Sequence, residues 1–178
     1  VAHDIEEESP DALLINYTNP MAIVSWAVSD MTKVKYVGLC HSVPGTAWTL
    51  SLYTGIPYEE LDYLAAGINH MAWFIKLMWK GKDVYPLLRE KLNDPRVYTD
   101  PTHPAYNDPV RVEVFKAFGY YSAEDSNHLA EYLPYFRKNP ELLKKYRILD
   151  HKERLELMDK RAIRDKERRE SLCLLYTS

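Results

Sequence analysis

Cysteine and long apolar runs are scarce in this sequence, and neither sign of charge dominates it. Two cysteines, Cys40 and Cys173, are too few for a disulfide framework and suit a reducing compartment, which predicts a cytoplasmic protein. No stretch approaches the roughly 20 uninterrupted apolar residues of a membrane helix. The opening VAHDIEEESP is acidic, unlike a secretion signal, so neither membrane insertion nor export is expected. A formal net charge of -3 leaves no electrostatic footprint for nucleic acid. Internal repeats and low-complexity tracts are missing too. What is present is 178 residues with 46% hydrophobic and 28% charged side chains, enough for a soluble globular domain that buries a core without staples.

The first part of the chain reads as strand, helix, strand. Ala12 to Tyr17 is a short apolar run that fits a fully buried strand. Asn19-Pro20 then opens a helix to Asp30, with Asn19 as its cap and Pro20 in its first turn. Lys35 to Leu39 is the second strand, ending at Cys40-His41-Ser42. This order implies a parallel sheet with a right-handed crossover, and ligands gather at the carboxyl edge of such sheets. Asn19, Cys40 and His41 belong to that edge.

Beyond Pro44-Gly45 the pattern predicts a helix to Tyr53, a short helix over 58–62, and one strand across the aromatic stretch from Tyr63 to Lys80. A turn at 80–83 leads to a helix from Tyr85 to Leu92. Asn93 to Pro109 carries four prolines and reads as a loop with the length of a lid. Helices follow over 110–118, 127–137 and 140–146, and from His151 a charged helix places Leu155, Met158 and Ala162 on one face. Both ends look unnatural. Val1 stands inside a helical pattern without an initiating Met, which predicts an upstream start, and the switch after Glu170 to CLLYTS suggests a non-native tail over 171–178.

Two clusters could carry chemistry: Cys40-His41 at a strand end and Asn69-His70 within the AGINHMA segment at 66–72. A thiolate and an imidazole from separate elements can hold a borderline divalent cation, with positions left for substrate and water. By residue type alone, a lone cysteine is more often a small buried hydrophobe and a lone histidine more often a packed one. The stretch from Asn16 to Pro20 either caps and turns the chain or presents amides to polyol hydroxyls. His128 and the pair Tyr120-Tyr121 either face a cleft or pack, and Glu124 and Asp125 read as solvated or capping.

Taken together and in order, NYTNPM at 16–21, GLCHS at 38–42, AGINHMAW at 66–73, and GYY at 119–121 with SNH at 126–128 and EYLPYF at 131–136 resemble glycoside hydrolase family 4. The likeness is to its α-galactosidase and α-glucosidase branch and covers roughly residues 1–146. It implies an α/β fold, a remnant of a Rossmann-like parallel sheet over 1–45 followed by a mostly helical α+β catalytic region over 46–170. It also implies NAD and a divalent metal, normally Mn2+, as cofactors, an α-linked galactoside or glucoside as substrate, and a homo-oligomer at full length. By the same resemblance Cys40 and His70 ligate the metal, Asn19, Asn69 and His128 contact the sugar, and Asn16 contacts the cofactor. His41 protonates the leaving group, a residue choice that favours unphosphorylated α-glycosides; Asp125, Tyr120 and Tyr121 are candidates for the base.

The mechanism so implied is redox-assisted elimination, an exception to the two-carboxylate scheme of most glycosidases. Hydride leaves C3 of the sugar for NAD, the ketone acidifies the C2 proton, a base removes it, and the glycosidic oxygen departs with help from His41. Water addition and hydride return complete the cycle. One part of the family pattern is missing: none of the six glycines forms the glycine-rich strand-turn-helix that holds a pyrophosphate, which predicts weak NAD binding and exposed apolar surface for this chain. A hydroxyacid dehydrogenase-like oxidoreductase and an inactive sugar-binding fragment are the competing classes. Strict metal dependence separates the first of them from the glycosidase.

Overall fold

The computed structural model describes the backbone of residues 1–68 and 70–176 and the side chains of residues 1–68 and 70–168. The chain divides into two compact units, Val1–Leu129 and Ala130–Ser178. The expected division at residue 45 falls inside a helix of the first unit. Among the described residues no helix is long and apolar enough to cross a membrane.

The first unit opens with helix α1 (Ala2–Glu8), strand β1 (Leu13–Asn16), helix α2 (Met21–Met31) and strand β2 (Lys35–Gly38). The two strands pair in parallel from Leu13↔Lys35 to Asn16↔Gly38, as the strand-helix-strand order requires. Two local expectations are corrected here. Strand β1 is not fully buried: Leu13 and Ile15 are 56% and 54% exposed, because a two-stranded sheet gives its outer face no cover. Pro20, not Asn19, occupies the cap position of α2, and the Asn19-Pro20 peptide is cis.

Helix α3 (Ser42–Thr54) begins directly after the β2 strand end, taking Pro44 and Gly45 into its first turn, and Gly55 ends it in the left-handed conformation. After a 3-10 turn at Tyr58–Glu60, the aromatic stretch forms a hairpin instead of one strand: β3 (Leu61–Ile68) and β4 (Met71–Trp79) pair antiparallel. A single strand over those 18 residues would run about 60 Å, longer than a domain of this size can cover on either face. Gly67 makes the reversal possible. Its φ of 139° and the 2.3 Å that would separate an added Cβ from the Met71 carbonyl oxygen admit no side chain there.

Strand β5 (Lys82–Asp83) continues the sheet, and helices α4 (Tyr85–Leu92), α5 (Arg96–Thr99) and α6 (Pro109–Phe118) follow. The segment expected to be a lid is tied down instead: α5 forms inside it, and Val97 and Ala105 lie wholly in the core beside Leu50, Phe74 and Leu88. Strand β6 (Tyr121–Ser122), absent from the sequence reading, joins the free side of β4 at Trp73↔Ser122 and Phe74↔Tyr121. Helix α7 (Ser126–Tyr132) leads into the second unit, which holds α8 (Pro140–Lys145) and α9 (His151–Tyr176). The expected apolar stripe of α9 is exposed at Leu155 and Met158. Its helix continues through the expected break at 171, while residues 177–178 of the expected tail lie outside the described residues.

Candidate metal centre at the strand ends

Three chain segments meet at one point of the first unit. Strand β2 ends at Gly38, and two residues later Cys40 sits partly buried, its Sγ 3.1 Å from the Ser42 hydroxyl. His70 stands in the reversal between β3 and β4. The third segment follows β6: the Ala123 amide donates to the Ala72 carbonyl at 2.9 Å, which extends the β4–β6 pairing and carries Glu124 alongside His70. One Glu124 carboxylate oxygen lies 2.9 Å from His70 Nδ1. One donor atom from each of Cys40, His70 and Glu124 falls within 4.8 Å of the other two. A thiolate, an imidazole and a carboxylate so placed form a mixed donor set of the kind that suits a borderline divalent cation.

The reading of Glu124 as solvated or capping is therefore wrong. Glu124 is 4% exposed, and burying a carboxylate is costly unless a cation or several donors answer it. His70 Nδ1 faces one carboxylate oxygen and the His128 ring lies 3.7 Å from the other, and a cation bound by the donor set would complete the compensation. The residues present fit a divalent metal.

His128 stacks on His70 with ring centres 5.1 Å apart and planes 8° from parallel, so this candidate sugar contact belongs to the same group. Its Nδ1 lies 2.9 Å from Asp125. Asp125 itself caps α7, accepting from the Asn127 and His128 amides at 2.7 and 3.0 Å. Partial burial pushes its carboxyl up, but the His128 amide and ring and the Asn127 amide outweigh this and hold it below the ordinary carboxylate range.

Tyr121 is a correction. It is 0% exposed, burial raises its hydroxyl far above the ordinary tyrosine range, and its ring packs among Tyr53, Phe115 and the Arg111 guanidinium. A group sealed in the core cannot take a proton from a sugar. Tyr120 is half exposed and packs edge-on against Tyr85. His41 is exposed at the cap position of α3 with its ring 4.7 Å from that of Tyr17. Asn16 turns its amide back on its own loop, accepting from the Thr18 amide at 3.0 Å and donating to the Thr18 carbonyl at 3.1 Å. Asn19 is exposed just before α2, and Asn69 lies outside the described residues.

A cleft of about 420 Å³ opens beside the three donors, within the range of small-molecule sites. Tyr17, Cys40 and Glu124 line it together with Gly38 of β2 and Gly67 of β3, so both sheets border the cleft.

Residues 1–55 match the family model described as Family 4 glycosyl hydrolase, and residues 65–172 match the one for the Family 4 glycosyl hydrolase C-terminal domain. Among curated relatives, an alpha-galactosidase of Bacillus subtilis (strain 168) is 39% identical over 150 residues, which cover 83% of this chain and 33% of the relative. The chain thus spans about a third of that protein's length. In three dimensions, the crystal structure of the Bacillus subtilis protein lplD matches with a TM-score of 0.67 and 25% identity, over 94% of this chain and 42% of that one. A 6-phospho-alpha-glucosidase from gut microorganisms, solved in complex with NAD and Mn2+, shares the fold with a TM-score of 0.58 at 18% identity, over 93% of this chain and 41% of that one. Fold, motif order and two adjoining family matches agree, and the chain belongs to glycosyl hydrolase family 4.

Proposed function

We propose that this chain carries the metal-binding and sugar-facing part of a glycosidase that cleaves α-linked galactosides, or α-glucosides, with NAD and a divalent cation. The observation that carries the reading is the convergence of Cys40, His70 and Glu124 on one point beside the cleft. The 39% identity to an alpha-galactosidase supports the sugar class.

In this reading Cys40 and His70 hold the cation, with the Glu124 carboxylate beside them. The cation, Mn2+ in the most economical case, supplies Lewis acidity at the sugar hydroxyls when bound, and NAD supplies a hydride acceptor for C3. The chain's own groups then position and move protons. Asn19, Asn69 and His128 bind hydroxyls of the ring, and Asn16 contacts the cofactor. His41 has an exposed imidazole, a group able to donate a proton to the leaving oxygen as a general acid. Of the tyrosine and aspartate candidates for the C2 base, Asp125 is the one in contact with the His70–Glu124–His128 group, and we assign it that role. The whole protein is expected to act as a cytoplasmic homo-oligomer.

The test is release of nitrophenol from α-galactoside and α-glucoside substrates, with NAD and Mn2+ omitted in turn. It is run on the chain alone and on the chain joined behind a glycine-rich dinucleotide-binding segment. Hydrolysis that needs both additions and disappears in Cys40→Ala supports the reading. Robust hydrolysis without NAD, or full activity in Cys40→Ala, overturns it.

A further inference from the structure

Under the donor group lies a buried polar network that the reaction does not use. Asp108 and Arg111 form an ion pair at 8% and 5% exposure, with Arg111 Nε donating to Asp108 at 2.9 Å and Nη2 closing the fork. The Tyr53 hydroxyl donates to the same carboxylate, and the guanidinium stands 5.1 Å over the Tyr121 ring. Two arms leave this pair. In one, Arg111 Nη1 donates to the Thr46 hydroxyl at 2.8 Å, and that hydroxyl donates to the Ala123 carbonyl at 2.6 Å. In the other, the Ser126 hydroxyl donates to Asp108 at 3.1 Å and accepts from the Arg111 amide at 3.3 Å.

The arms end on Ala123 and Ser126, the two residues that bracket Glu124-Asp125. A buried ion pair is weak evidence for stability, since well-packed apolar side chains of similar volume often serve as well or better. Apolar replacements could not, however, fix the carbonyl of Ala123 and the hydroxyl of Ser126 in direction. Thr46 is the narrowest link: its hydroxyl has one proton to give, and accepting from Arg111 commits that proton to Ala123.

We infer that Thr46 is a positioning residue, which transmits the fixed orientation of the Asp108–Arg111 pair to the Ala123–Ser126 turn and so holds the Glu124 carboxylate against His70. The inference rests on the reading of Cys40, His70 and Glu124 as a metal centre only for its effect on metal affinity; the placement of Glu124 against His70 stands without it.

Two substitutions separate positioning from packing. Thr46→Val keeps the volume and removes the hydroxyl, whereas Thr46→Ser keeps the hydroxyl and removes a methyl group. Mn2+ affinity, read by the electron paramagnetic resonance of the free ion, is expected to fall about tenfold in Thr46→Val, as for the loss of a group that orients a ligand, and to stay within about twofold in Thr46→Ser. In the metal-free protein, the imidazole NMR signals of His70 and His128 are expected to move in Thr46→Val and to stay in Thr46→Ser. Thermal melts establish that each variant is folded, and Ser126→Ala, which cuts the other arm, takes the place of Thr46→Val if that variant does not fold. Unchanged affinity and unchanged ring signals in Thr46→Val, or equal losses in Thr46→Ser, overturn the inference. If the unsubstituted chain does not bind Mn2+, the metal reading fails by itself, and the ring signals alone decide whether Thr46 positions Glu124.

Discussion

The two sheets of the first unit both border the candidate site and bury their side chains very differently. Over residues 1–41, which contain the parallel pair, Val34 is the only buried residue, and Ile23 and Trp26 of α2 join Leu13 and Ile15 in facing outward. The antiparallel sheet is packed by α3, α4 and α6, and Phe74, Leu77 and Leu88 are at most 1% exposed. Burial of apolar area is the dominant stabilising term, so the second region supplies the cohesion and the first is carried by it. Cys40 stands at the end of the weakly covered region, and His70 and Glu124 stand on the consolidated one. Mutations that weaken the fold and mutations that weaken the site are therefore separable.

The largest effect should come from the consolidated side. Phe74→Ala removes a wholly buried ring that packs against Tyr63, and is expected to cost about 3–5 kcal/mol in chemical denaturation. A loss below about 1 kcal/mol would mean that the antiparallel core is not what holds the unit together. Asp125→Ala probes the turn between the core and the donors. Losing the α7 cap is expected to cost about 1 kcal/mol at neutral pH. Because the folded-state carboxyl is depressed, its contribution is present above the ordinary carboxylate range and is lost as pH falls through the lowered value. The gap between the variant and the parent protein should accordingly narrow in acid, and a gap that widens there would contradict the capping role. The smallest effect belongs to the open sheet: Ile15→Thr, on the exposed face of β1, is expected to change stability by no more than about 0.5 kcal/mol. A cost of several kcal/mol would show that this face is covered in solution and would erase the contrast between the two regions.

Local chemistry was enough for the parallel strand-helix-strand order, for the helix over Tyr85–Leu92 and for the position of Cys40 after a strand end, because each depends on neighbours a few residues away. Family motifs in the right order were enough to place the chain in glycosyl hydrolase family 4. Glu124 was not legible. A buried carboxylate and a capping one look alike in sequence, and Glu124 meets His70 only because β6 settles against β4, a pairing between segments far apart in the chain. The same pairing drew Tyr121 into the core, where its tyrosine chemistry is lost, and the reversal at Gly67 turned one expected strand into two. The sequence by itself determined the family, the parallel strand-helix-strand order and the place of Cys40 just after a strand end. Only the tertiary structure decided which side chains share a point in space, because strand register between distant segments is set by what the core can pack.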